Sequence, residues 1–185
     1  EAVMGLVLGM AVNFLFMAIQ AGGELLGFQM GFTMINFADP LTGNQTGITA
    51  FFLWMVSLLT FLALDGHLMV LELLANTFKS LPIGQLRFDP NAWNLIARYG
   101  STIFLTGLLL ALPMLATLLI INLAMGILNR VAPQLTVFSV GFPLTLSVGL
   151  ILLMVVMGDL GPFLASLLTN TLHFMQYLVD NMARP

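Results

Sequence analysis

The amino-acid sequence predicts an all-α protein associated with a membrane. The first reason is composition: 59% of the 185 residues are hydrophobic and 7% are charged, where a soluble domain carries about 25% charged residues. The second is the spacing of those charges, which leaves uncharged stretches at Ala2–Gly23, Pro40–Leu64, Tyr99–Asn129, Val131–Gly158 and Leu160–Val179. The third is a helical period in the last of them. With five basic and eight acidic residues and a mean hydropathy of +1.04, the chain has no polar skin of its own. Lipid or other protein must solvate it.

A membrane-spanning helix needs about 20 apolar residues. Ala2–Gly23, Tyr99–Asn129 and Val131–Gly158 meet that length, and Pro40–Leu64 does so once Thr42–Thr46 is left outside. Between Asp65 and Arg98 lies the most polar region, with Lys79, Arg87 and the turn signals Pro82, Gly84 and Asp89-Pro90. This reads as one extramembranous connection with short helical pieces. From Leu160 onward, Leu164, Leu168, Leu172, Met175, Val179 and Met182 recur every three or four residues, opposite Ser166, Asn170, His173, Tyr177 and Asp180. That pattern predicts an amphipathic C-terminal helix over 160–182.

Pro113 and Pro143 fall near the middle of their apolar stretches. Each removes a backbone donor, so both helices are expected to kink or break there. Arg130 and Pro133 lie in the short segment between them, which makes a hairpin of two kinked helices. Glycines repeat every fourth residue at Gly23, Gly27 and Gly31, as do Gly5 and Gly9. Such faces let helices approach closely where packing, rather than water exclusion, drives association. Gly27 to Phe37 also alternates bulky soft side chains with Gly and polar groups before ending at Asp39-Pro40. A loop packed inside protein accounts for that pattern better than a lipid-facing helix.

The chain offers little chemistry. It has no cysteine, so thiol catalysis and thiolate metal sites are excluded. The zinc motif His-Glu-x-x-His and the nucleophile motif Gly-x-Ser-x-Gly do not occur. Asp65, His67 and Glu72 stand at offsets that keep His67 off the helical face of either acid, so they read as a solvated helix end. Glu24 and Asp159 close apolar stretches, and Asn13 and Asn122 are polar residues inside apolar helices, suited to interhelical hydrogen bonds. No basic run is present, which argues against nucleic acid. Asn44-Gln45-Thr46 matches a glycosylation sequon and carries no assigned role.

Several segments together carry a resemblance. Gly22-Gly23-Glu24-Leu25-Leu26-Gly27-Phe28-Gln29-Met30-Gly31-Phe32, Gly66-His67-Leu68, Leu81-Pro82-Ile83-Gly84, and Asn129-Arg130-Val131-Ala132-Pro133-Gln134-Leu135 running to Phe142-Pro143-Leu144-Thr145 resemble, in order, the FliR family of flagellar export-apparatus membrane proteins. The family is similar to the T-type subunit of virulence injectisomes. The resemblance implies a non-enzymatic subunit of the type III export gate in the bacterial inner membrane at the flagellar basal body. It implies partners of the FliP, FliQ and FlhB types, unfolded flagellar proteins as cargo, and no cofactor. Residues 1–98 correspond to a FliP-like part and 99–158 to a FliQ-like kinked hairpin. A plug is implied over about 27–39, formed by Phe28, Met30, Phe32, Met34 and Phe37.

Family members have further N-terminal apolar helices, so the resemblance implies that this chain lacks that part. Lys79, Arg87 and Arg98 would draw the central connection to the cytoplasm, whereas the family places the Arg130 turn there; the resemblance is preferred. The alternative reading is a polytopic membrane transporter or small-solute channel, which copurification separates from the gate. A gate subunit travels with two other small helical membrane proteins at unequal copy number.

Overall fold

The computed structural model describes residues 2–32, 47–80, 90–131 and 140–183. These form five α-helices: α1 (Ala2–Met30), α2 (Ile48–Ala63), α3 (Gly66–Ser80), α4 (Pro90–Val131) and α5 (Phe142–Ala183). Among the described residues, three helices are long and apolar enough to cross a membrane: α1, α4 and α5. The pair α2 and α3 would add a fourth span if its 65° bend lies within one crossing.

Two expectations for the long helices are corrected. Pro143 is the second residue of α5 and not a mid-span kink; in the first helical turn its missing N–H would have no partner anyway, and its fixed φ suits the start. The interior proline of α5 is Pro162. The boundary expected at Asp159 is also absent, because α5 runs as one 42-residue helix through it, and Asp159 projects outward. In α4, Pro113 is exposed and the helix continues past it without interruption from Pro90 to Val131. Pro133 lies outside the described residues, while Arg130 sits exposed in the last turn of α4. There its charge complements the negative end of the helix dipole.

The chain divides into two compact units, Glu1–Ala18 with Val56–Thr106 and Gly161–Pro185, and Ile19–Met55 with Gly107–Leu160. In the first, Leu8 and Ala11 of α1, Leu73 of α3, and Met175 and Val179 of α5 form a buried cluster. Tyr99 packs beside it, stacked on Phe174 with ring centroids 3.7 Å apart. Its hydroxyl donates to Thr171 Oγ1 at 2.7 Å, and Thr171 donates onward to the Leu167 carbonyl at 2.7 Å. Thus the polar tip of a ring in an apolar core is satisfied. On α5, Leu164, Leu168, Met175 and Val179 are buried, while Ser166, Asn170, His173 and Tyr177 face outward.

The bend between α2 and α3 has a local cause. Asp65 adopts φ +55°, a left-handed conformation that Asp tolerates better than most residues. Its carbonyl then accepts from Leu68 and Met69 N–H at 2.9 and 3.2 Å, which starts α3 in a new direction. The next residue must be small: a Cβ on Gly66 would lie 2.5 Å from the Phe61 ring and 3.0 Å from Leu168. Phe61 itself packs edge-on against Phe16 at 5.4 Å. Asp65 and Glu72 are exposed and His67 is half-buried.

Candidate functional site

The second unit is organised around the end of α1. Gly23 packs so closely on α2 that a Cβ there would stand 2.7 Å from Ala50 Cα, and one on Gly27 would stand 3.1 Å from Thr49 Oγ1. One residue earlier, Gly22 meets α4 at the Gly107 carbonyl, 3.2 Å from the position of a Cβ. The four-residue spacing therefore sets α1 against α2, and the extra glycine opens the neighbouring face to α4. Gly5 and Gly9, by contrast, have no atom of another described element within 4 Å of a Cβ position.

The expected loop beginning at Gly27 is corrected. Residues 27–30 are the last turn of α1, and the chain leaves the helix only at Gly31, whose φ is +85°. Phe32 N–H donates to the Gly27 carbonyl at 2.9 Å, and Gly31 N–H donates to the Phe28 carbonyl at 3.1 Å. This pair of bonds is a Schellman cap, which a glycine in the left-handed region supports without a Cβ clash. Gly31 thus terminates the helix, and it also packs closely: a Cβ there would lie 3.1 Å from the Phe142 ring of α5.

A helix leaves its last four carbonyls without intrahelical donors. Here the cap satisfies those of Gly27 and Phe28, and α4 supplies a donor to that of Gln29. The Thr145 hydroxyl of α5 divides its one proton between the Met30 carbonyl and those of Gly141 and Phe142, at 3.1 Å, at the start of its own helix. Asn122 Nδ2 of α4 donates to Gln29 Oε1 at 3.0 Å and lies 3.4 Å from the Gln29 carbonyl. Thr145 Oγ1 of α5 reaches the Met30 carbonyl at 3.4 Å. Met30 is completely buried, and its side chain fills the notch left by Gly149: a Cβ on Gly149 would fall 2.5–2.8 Å from Met30 Cγ, Cε and Sδ.

The residues expected to form a plug therefore divide. Phe28 is 65% exposed, Phe32 is half-buried, and Met30 is an anchor with no free surface. Met34 and Phe37 lie outside the described residues. Sequence reasoning missed Gln29, Thr145 and Gly149. Their signal was present, since an amide, a hydroxyl or a lone glycine in an apolar helix marks a place where another helix comes close. Asn122 was legible for that reason. Among the described residues no group of three or more His, Asp or Glu stands ready to hold a metal.

These features define a class: a helical membrane protein whose first helix is tied at its end to two others by side-chain hydrogen bonds in an apolar setting. The chain belongs to the family of bacterial export proteins, family 1, which matches residues 1–171. It is similar to the flagellar biosynthetic protein FliR of Escherichia coli K12, 40% identical over 182 residues, covering 98% of this chain and 70% of that protein. FliR of Pectobacterium carotovorum is 40% identical over 183 residues, covering 99% and 70%. FliR of Bacillus subtilis 168 is 32% identical over 182 residues, covering 97% and 70%.

Proposed function

We propose that this chain is a membrane subunit of the flagellar type III export gate, forming part of the passage for unfolded flagellar proteins in the bacterial inner membrane. The observation that carries this beyond family membership is the apolar length of its helices. The uncharged part of α4, Tyr99–Asn129, lies within a candidate span of 38 residues, Asn94–Val131, and its own length is about 47 Å at 1.5 Å per residue. The hydrocarbon core of a bilayer is about 30 Å thick, and a tilt at the upper end of the usual range, about 40°, still leaves the helix too long. The length in excess of the hydrocarbon core supports protein neighbours for part of this surface. FliP-like, FliQ-like and FlhB-like subunits are the partners that the family resemblance implies.

The role is structural and conformational rather than enzymatic. Within it, residues 27–39 serve as the plug, with Phe28 and Phe32 offered to the passage and Met30 holding the base. Energy for export comes from partner components. Affinity purification of the tagged chain from its native membrane tests the reading: two other small helical membrane proteins should copurify at unequal copy number. A self-sufficient homo-oligomer with solute flux of its own would instead make it a transporter. Deleting Met30–Met34 should let small solutes leak through the membrane, whereas unchanged permeability with an intact complex would remove the plug assignment.

A further inference from the structure

We propose that the Gln29–Asn122 amide pair is a latch that opens by exchanging its hydrogen bonds with the backbone of an extended polypeptide. The inference rests on the export-gate reading and adds how the gate senses cargo. Asn122 Nδ2 holds both the side-chain oxygen and the main-chain carbonyl of Gln29, at 3.0 and 3.4 Å. Both residues are only half-buried, so the pair can be reached without unfolding a helix. Next to it, Met30 is sealed in the Gly149 notch and its carbonyl is met by Thr145.

Breaking the pair separates two half-buried amides and the Gln29 carbonyl from their partners, and the modest cost of losing interhelical hydrogen bonds in a membrane biases the closed state at rest. An extended chain removes that penalty. Every non-proline residue of such a chain presents one N–H and one C=O, and each primary amide offers both donors and an acceptor. Cargo backbone can therefore replace Gln29 for Asn122, and Asn122 for Gln29, with the same number of bonds. The exchange reads no side chain, so it suits cargo of varied sequence, and folded cargo whose backbone groups are already paired does not trigger it.

The test uses the assembled complex in cells that depend on this chain for export. Asn122→Leu leaves Gln29 without its partner, and small-solute leak should rise about threefold to twentyfold, the range that interhelical hydrogen bonds in membranes would give. Gln29→Met with Asn122→Leu restores an apolar contact; leak should return to the parent level while export slows severalfold, because nothing remains to exchange. A double variant with parental leak and parental export would overturn the latch. The chain has no cysteine, so Gln29→Cys with Asn122→Cys can be bridged by a short bis-methanethiosulfonate after assembly, each thiolate displacing sulfinate to form a disulfide to the linker. Bridging should stop export, and reductive cleavage should restore it. Export that continues through the fully bridged complex would show that this helix end does not move, even where a substitution impairs assembly. Loss of the export-gate reading has a different signature: cells without the chain would still export.

Discussion

Glycine positions separate into those that packing demands and those that this chain leaves open. Gly23 meets Ala50 backbone, which has no side-chain freedom to yield. Gly23→Ala should destabilise the purified protein by about 1–3 kcal/mol through overpacking, read as a lowered thermal midpoint in detergent. Gly5→Ala and Gly9→Ala should leave the isolated chain unchanged or stabilise it by up to about 1 kcal/mol per site, the gain in helix propensity, because among the described residues no other element approaches either Cβ position. At Asp65, φ +55° makes the side chain's identity matter. Asp65→Gly should be tolerated, whereas Asp65→Ile forces a β-branched residue into the left-handed region and should cost about 1–2 kcal/mol. Thermal unfolding of the two variants side by side decides the point.

Within the helices, proline acts by position. Pro113 lies mid-helix in α4 and Pro162 mid-helix in α5, and both are exposed. Pro113→Ala or Pro162→Ala restores a backbone bond to the carbonyl four residues earlier, and each should raise the thermal midpoint of the isolated chain. Pro143→Ala should change it little, since the first turn has no such bond to restore. Circular dichroism melts of the three variants distinguish these outcomes, and equal effects would contradict the placement of α5. Reading Pro143 as a kink assumed that the apolar stretch from Val131 was all one span. Hydropathy continues across a helix start, so it does not reveal where the helix begins. The end of α1 was hidden for a similar reason, because a glycine at four-residue spacing reads as a packing position, and only its φ shows that Gly31 also caps the helix.

Across the molecule, the apolar surface exceeds what the chain covers. Only 39%, 28% and 17% of the most apolar windows of α1, α4 and α5 are buried within it. On α5, Ile151, Met154 and Val155 remain exposed, as do Ile120, Leu123 and Ile127 on α4. Because the chain has no cysteine, Met154→Cys provides a single reporter. A water-soluble maleimide should label it in the detergent-purified chain and label it much more slowly in the native assembly. Equal, slow labelling in both would assign the surface to lipid or detergent instead of a partner.

By itself the sequence determined an all-α membrane protein and its family, because scarce charges and a helical period are local properties that composition and spacing record; of the two asparagines it singled out, Asn122 meets another helix and Asn13 is exposed. Gly23, Gly27 and Asn122 pointed to close helix approach before any contact was known. Only the tertiary structure decided which helix each one meets, that Gly31 caps α1, and that Asn122 and Thr145 are the side chains brought within reach of the carbonyls of Gln29 and Met30. The carbonyls left over at a helix end must find partners somewhere. Their partners here stand 93 and 115 residues away in the chain, a pairing that no local pattern encodes.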